Sequence, residues 1–197
     1  MKSRLVVAIA AALPALAFAA PESYTIDPVH SQPQWEATHI GFSKQHGNFG
    51  KATGKVTLDR DAKKGTIDVT IDAASIRTYD PRLDAIVKSD RYFDVEKYPT
   101  ITFKSTDVRF DGDQVVGANG ELTMHGVTKP VVLTVTGFKC GQQTFNKKPM
   151  CGAEATATIK RSDFDMTSGL NIGNPGDEIK LTLPVEAYLD QPQGYLR

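Results

Sequence analysis

Strict alternation of apolar and polar residues is the feature that most constrains the fold of this chain. From Ile179 to Leu189 every second residue is apolar, and the residues between them are mostly polar. Successive side chains of a β-strand point to opposite faces, so a period of two indicates a strand with one buried face. The pattern recurs in Thr66–Asp72, Val131–Thr136 and Ala153–Lys160. The sequence therefore predicts a fold built mainly from half-buried strands.

Turn signals and one helical segment complete the prediction of secondary structure. Clusters containing glycine or proline, such as Asp61–Gly65, separate the alternating segments. Asp80–Ser89, with Pro81 suited to a first helical turn, is the one segment that looks helical. Eight or so strands and one short helix predict an all-β domain, either an antiparallel barrel or a sandwich. The remaining strands are predicted at Tyr24–Asp27, Gln34–Ile40, Phe49–Asp59, Ile101–Phe110 and Gln114–Met124.

Two irregularities are expected within these strands. In Ile101–Phe110 the apolar phase slips from one face to the other, which predicts a bulge or a sharp twist. Asn119 and Gly120 interrupt their own strand and are candidates for a second bulge. Barrels need such irregularities in order to curl.

The N-terminal residues have the pattern of a secretory signal. Lys2 and Arg4 precede a short apolar run, and Ala17–Ala19 places small residues at both positions that signal peptidase inspects. The run is shorter than the ~20 apolar residues that a membrane span needs, so we predict cleavage rather than a stable membrane anchor. Residues 1–19 are thus predicted to be a cleaved signal peptide, and residues 20–197 a single exported domain.

The charge balance argues against a polyanionic partner. The whole chain has a formal net charge of zero, and removal of Lys2 and Arg4 with the signal peptide would make it −2. The sequence has no basic run of the kind that nucleic-acid or anionic-membrane binding uses. We therefore expect no nucleic-acid partner.

The two cysteines are expected to form a structural disulfide. Cys140 and Cys151 flank a polar, turn-rich segment, and export would place them in an oxidising compartment. In the chain-entropy model, closing so short a loop stabilises the fold by about 3 kcal/mol. The CxxC spacing of a redox pair is absent.

Motifs of known catalytic sites are missing from the sequence. It has no GxSxG elbow, no HExxH and no glycine-rich phosphate loop. Histidines could assemble a metal site in space, but in β-proteins they more often hydrogen-bond a neighbouring backbone group. We predict no catalytic residue, no metal and no cofactor. The four histidines are His30, His39, His46 and His125.

The alanines of one strand raise the question of an internal cavity. Ala153, Ala155 and Ala157 share one face, where a packed core would have larger side chains. An eight-stranded barrel is just wide enough to be filled by its own side chains or to enclose one small ligand. The pattern alone leaves both alternatives open. The aromatic residues that could fill the space are Trp35, Phe42, Phe49 and Phe103.

Several blocks of sequence occur together in an order that is characteristic of a known family. Tyr24–Ser31 is the first block, His39–Ser43 the second and Phe93–Phe103 the longest. Further blocks are Gly47–Phe49, Ser89–Phe93, Leu122–Pro130, Arg161–Phe164 and Gly176–Ile179. Together they resemble the YceI-like polyisoprenoid-binding family over essentially the whole chain after the signal. One departure is Leu83–Val87, which lacks the arginine and the histidine that this family usually has there.

The resemblance implies a fold and a function. The fold is an antiparallel, lipocalin-like, eight-stranded barrel with one short helix, and members are commonly periplasmic. The implied function is that of an exported, soluble protein that sequesters or carries a long apolar lipid of the quinone or prenyl type. The alternative is an enzyme that acts on a lipid or quinone inside the same barrel, with a histidine as base. A homodimer is left open.

Candidate wall residues follow from the apolar residues of the predicted barrel, and candidate mouth residues from the family's sequence blocks. An apolar wall would carry the affinity, and polar groups at a mouth would orient the lipid head group. The wall candidates are Trp35, Phe42, Phe103, Leu133, Val135, Ala155, Ala157, Leu181, Leu183 and Val185. The mouth candidates are His30, His39, Ser43 and His125.

Overall fold

The computed structural model describes residues 20–190, and the predicted signal peptide lies outside them. Within these residues the chain forms one α-helix, α1 (Pro81–Lys88), together with short 3-10 turns and eleven strands. The strands are β1 (Glu22–Ile26), β2 (Gln34–His39), β3 (Ser43–Phe49), β4 (Ala52–Asp59), β5 (Lys64–Asp72), β6 (Ile76–Arg77), β7 (Thr100–Asp111), β8 (Gln114–Met124), β9 (Val127–Gln142), β10 (Pro149–Lys160) and β11 (Glu178–Leu189).

Eight of these strands close into an antiparallel barrel. Their order is β1-β4-β5-β7-β8-β9-β10-β11, and β11 pairs back to β1 with Tyr24 opposite Leu189. Asp190 stabilises the closed ring, because its carboxylate accepts hydrogen bonds from Lys55, Thr25 and Ser23. The bond from Lys55 is the main reason that the pKa of Asp190 is lowered to about 2. The predicted all-β, eight-stranded antiparallel barrel with one short helix is confirmed.

The remaining three strands continue the barrel wall beyond the closed ring. Along β11, β1 pairs with Ala187–Leu189 and β2 with Ile179–Thr182, so β1 and β2 lie end to end. β3 pairs with β2 and β4 with β1, so β3 and β4 also follow one another along a single line. The strand predicted near Phe49–Asp59 is observed as β4, which begins only at Ala52, whereas Phe49 is the last residue of β3. β3 was not predicted from the sequence, because its residues, SKQHGNF, show no alternation of apolar and polar side chains.

The interruptions of neighbouring strands lie side by side. The backbone N–H of Phe49 donates to the carbonyl of Pro33 over 2.8 Å, and that of Asp72 donates to the carbonyl of Lys51 over 3.0 Å. These bonds align the breaks Asp27–Pro33, Gly50–Lys51 and Ala73–Ser75, which we call the break line. It divides the molecule into a capped end, which carries the β2–β3 turn, and a terminal end, where β1 begins and β11 ends.

The expected irregularity of β7 is confirmed. Its register with β8 shifts between Lys104 and Asp107, opposite Gly120. The extra residue lies on β7. Asn119 and Gly120, where a second bulge was expected, instead lie on β8 opposite this bulge. A side chain at position 120 would collide with the Phe103 ring, which explains the glycine there. A further register shift, between β9 and β10, coincides with Gly137 at φ +65°.

Helix α1 begins where the sequence predicts. The Asp80 side chain accepts a hydrogen bond from the Arg82 backbone N–H over 2.9 Å, and Pro81 occupies the first turn. Of the predicted apolar stripe, Val87 packs against the core, while Leu83 and Ile86 are largely exposed. In the described part of the chain no helix has the length and hydropathy of a membrane span.

The capped end is filled by side chains and by a buried cation. Phe164 and Ile76 are each 1% exposed. Arg161 is 3% exposed, and burial lowers the pKa of its guanidinium. That guanidinium donates hydrogen bonds of 2.5–3.1 Å to four backbone carbonyls of the segment that follows it. These bonds offset the desolvation of the charge and fix the fold of the segment. The four acceptors are the carbonyls of Met166, Ser168, Pro175 and Gly176.

Candidate functional site

An elongated cavity runs along the barrel interior from the terminal end to beyond the break line, where Gln34, Phe49 and Ile159 still line it. About 210 Å³ of it is open to the centre of a water molecule, many times what one buried water needs. The lining follows β8 from Val115 to Met124, which corresponds to about 30 Å of strand. All eight ring strands contribute to it, and the lining is almost wholly apolar. The alternative of a completely filled barrel is therefore wrong for this section.

The structure brings most of the predicted wall residues together. Phe103 and Ala155 are 9% and 6% exposed, and both face the cavity. Ala155 stands opposite Val135 on β9 and Leu183 on β11, both of which also line it. The predicted residues found in the lining are Phe103, Leu133, Val135, Ala155, Leu181, Leu183 and Val185.

Three predicted wall residues lie elsewhere. Phe42 is 91% exposed, because it stands in the turn after β2, where the alternation of strand faces no longer applies. Trp35 is half-buried over Gly47, whose missing side chain leaves room for the indole ring. Ala157 packs against the core at the level of Leu181 and Trp35, without reaching the cavity. The placement of these three residues in the wall is corrected accordingly.

Many lining residues were missed, although most of them carried a usable signal. Ile67, Val69 and Ile71 are the apolar face of a strand whose alternation was recognised. Assigning every apolar face of a predicted strand to the barrel interior would have found them. Ser31 and Pro33 had no such signal, because they belong to the irregular loop that crosses the break line.

The side wall is completed by a serine where the strand ladder is interrupted. On its edge toward β1 and β2, β11 has no strand partner between its pairings with these two strands, while its other edge pairs with β10. There the Ser31 hydroxyl donates to the carbonyl of Glu186 over 3.0 Å and accepts from the N–H of Glu186 over 2.9 Å. Ser31 is 3% exposed. We call this contact the serine seam, because the Ser31 side chain makes hydrogen bonds to Glu186 of the kind that the backbone of a neighbouring strand makes elsewhere along β11.

Replacing Ser31 with Ala should weaken the seam. The variant leaves the buried N–H of Glu186 without its acceptor, and such a loss costs about 1–3 kcal/mol. Chemical denaturation should show a free energy of unfolding lower by that amount, with an unchanged m-value. Ser43→Ala is the matched control, because Ser43 is exposed on β3 and should tolerate the change. Equal stability of the two variants would show that the seam does not hold the wall.

The predicted mouth residues do not form one site. His39 and Ser43 stand opposite each other at the β2–β3 turn, and His125 lies in the β8–β9 turn. The Nδ1 atom of His125 is 3.0 Å from the carbonyl oxygen of Phe164, and its ring packs edge-on against Tyr98. None of these three side chains lines the cavity.

His30, the fourth mouth candidate, lies on the outer side of the serine seam. Its Nδ1 is 2.7 Å from Asp27 and 3.9 Å from Glu186. The hydrogen bond with Asp27 raises the pKa of His30 and lowers the pKa of Asp27. Ligand atoms of these three residues all lie within 4.8 Å of one another, the spacing of a cation site. His30 and Glu186 are exposed to solvent, Asp27 is largely covered, and none of the three lines the cavity.

A partly exposed polar cluster lies at the terminal end of the cavity. The Arg60 guanidinium lies 3.1 Å from the Tyr24 hydroxyl and 2.9 Å from Cys140 Sγ. The Tyr24 hydroxyl donates to Glu22, and burial, followed by this bond, raises the pKa of Tyr24. The predicted Cys140–Cys151 disulfide is confirmed. Cys151 lines the cavity, so the bridge is part of its floor as well as the closure of an exposed loop.

The lining offers packing surface and little reactive chemistry. It includes no histidine, carboxylate, lysine or arginine side chain. The Ser31 hydroxyl is already used as donor and as acceptor, and so is that of Tyr24. Burial of an apolar molecule is therefore what this cavity can do best.

Comparison with known proteins agrees with this architecture. The sequence model of the YceI-like domain matches residues 24–187. The chain belongs to the YceI-like family. Protein YceI of Salmonella arizonae is 33% identical to it over 158 residues, which are 80% of this chain and 81% of that protein.

Two solved structures of the family's fold superpose on most of the chain. Burkholderia cenocepacia BcnA matches with a TM-score of 0.69 and 23% identity, over 82% of this chain and 98% of its own. A polyisoprenoid-binding domain from Saccharophagus degradans matches with a TM-score of 0.62 and 15% identity, over 85% and 98%. Because the two sequence identities are low, these matches show only that the barrel fold is shared. The resemblance inferred from the sequence blocks is thus confirmed at the level of family and fold.

Proposed function

We propose that this protein is an exported carrier that holds a long apolar lipid of the isoprenoid class in its barrel. The observation that carries the proposal is the cavity: it is elongated, almost wholly apolar, and lined by no charged side chain. The Saccharophagus degradans domain of the same fold is described as polyisoprenoid-binding, which supports this ligand class. The disulfide supports export, because such bonds persist in oxidising compartments.

The physical basis of binding is burial of the tail. An isoprene unit has five carbons, so its transfer from water to an apolar cavity yields roughly 3–4 kcal/mol at ~0.8 kcal/mol per carbon. Ordering a flexible chain and losing its translational freedom offset part of this gain. A few buried units nevertheless suffice for useful affinity. Polar contacts would then add orientation more than binding strength.

Analysis of co-purified lipid tests this proposal. Protein purified from the exported fraction is extracted with organic solvent, and the extract is analysed by mass spectrometry. We expect an apolar lipid at close to one molecule per protein, with homologues that differ by single isoprene units. An extract that contains no lipid above that of an unrelated exported protein would contradict the proposal. A chemically converted lipid after incubation with a candidate would instead favour the enzyme alternative.

A further inference from the structure

Two segments form one continuous surface at the capped end. The backbone N–H of Ile40 donates to the carbonyl of Gly173 over 2.9 Å, and the N–H of Gly176 donates to the carbonyl of Thr38 over 2.8 Å. These bonds join the β2–β3 turn to the loop that Arg161 holds from inside. We call this surface the tip, and it consists of residues 37–43 and 166–176.

The tip presents large apolar side chains to solvent. Phe42 is 91% exposed, Ile172 60% and Ile40 44%. Ile40 also has φ +51°, a left-handed conformation that costs most for a β-branched residue. Asn, Asp or Gly would suit such a tight turn better. Neither core packing nor turn geometry accounts for these residues, so their use lies outside the folded monomer.

Charge is absent from the tip. Asp, Glu, Lys and Arg make up 23% of the whole chain, yet residues 37–43 and 166–176 contain none of them. Charged side chains are costly in the apolar part of a bilayer, and apolar side chains at its interface are stabilising. Exposed apolar residues on turns also project outward, as insertion between lipids requires.

We propose that the tip docks the protein on the surface of a lipid bilayer by inserting Phe42, Ile172 and Ile40 between lipid molecules. This inference deepens the proposed function, on which it rests, because a carrier of a membrane lipid must meet the membrane to load or release it. Docking by a few uncharged side chains is reversible, since no long apolar segment is inserted.

Flotation with phospholipid vesicles tests the docking surface. The exported protein is mixed with vesicles of phosphatidylethanolamine and phosphatidylglycerol, and separately with vesicles of phosphatidylcholine. We expect binding to both, and Phe42→Ser should lower the bound fraction at least about fivefold. Its melting temperature should stay unchanged, because Phe42 is exposed. Phe145→Ser is the matched control, since Phe145 is 90% exposed in the β9–β10 loop at the terminal end.

The outcomes separate docking from lipid carriage. Equal loss of flotation in Phe42→Ser and Phe145→Ser, or no flotation of the parent protein, overturns the docking proposal. A parent dimer that Phe42→Ser dissociates overturns it as well, because a second copy would then cover the tip. Flotation that depends on Phe42, in protein whose extract contains no isoprenoid, supports docking and rejects the proposed cargo. Bound isoprenoid without Phe42-dependent flotation supports the proposed cargo and rejects docking by the tip.

Discussion

Replacing Arg161 with Ala is expected to destabilise the barrel more than any other single change considered. The substitution removes the donor from four backbone carbonyls at a position that is 3% exposed. Each unsatisfied buried acceptor costs about 1–3 kcal/mol, and local relaxation recovers part of this. We expect a free energy of unfolding lower by about 4 kcal/mol and a melting temperature lower by roughly 8–16 °C. Circular dichroism during thermal and urea unfolding measures both.

Two further variants test whether the hydrogen bonds of the Arg161 guanidinium account for this loss of stability. Arg161→Lys keeps the charge but has a single ammonium, which cannot serve all four carbonyls, so it should recover only part of the stability. Arg82→Ala removes an arginine that is 89% exposed and should leave the melting temperature unchanged. If Arg161→Ala unfolds at the parent's temperature, the buried guanidinium is not what organises the capped end.

Replacing Ala155 with Phe should abolish retention of a long-chain lipid. The new ring would project into the cavity between Leu183 and Val135 and take up much of the 210 Å³ that is open there. Stability should change little, because the ring fills a void, whereas overpacking a filled core typically costs 1–3 kcal/mol. Mass spectrometry of the extract should show at least tenfold less lipid per protein than the parent.

A position on the same strand serves as the control. Thr158→Phe points outward from an exposed position and should keep the lipid. A parent that carries lipid and an Ala155→Phe variant that carries the same amount would show that the ligand binds elsewhere. Strong destabilisation by Ala155→Phe with no lipid in the parent would mean that the section is packed.

The sequence predicts the barrel well because most of its strands obey one rule. Alternate residues of β11 and of β5 line the common interior, and the alternation is visible in the sequence of each strand. β3 and β6 could not be found in this way. β3 is polar and extends the wall beyond the closed ring, and β6 is only two residues long. The breaks between collinear strands depend on tertiary hydrogen bonds such as that from Phe49 to Pro33, which leave no local pattern.

The sequence predicts most residues of the cavity wall, but it does not predict how far the cavity extends along the barrel. Leu181, Leu183 and Val185 follow from strand alternation, and Ala155 follows from its small size. Alternation does not tell at which level along the axis the interior changes from hollow to packed. Ala157 and Trp35 pack against the core without lining the cavity, although Leu181, which pairs with both, does line it. Aromatic character alone misplaced Phe42, because a phenylalanine in a turn has no strand face.

The contrast between the packed capped end and the hollow barrel has a consequence for substitutions. At the capped end, Arg161, Phe164 and Ile76 are 1–3% exposed, so changes of their volume or charge cost stability. Inside the barrel, residues such as Ala155 line empty space, where added volume is tolerated more easily. Under the proposed function, we expect substitutions around the cavity to change which ligand is retained with smaller effects on folding.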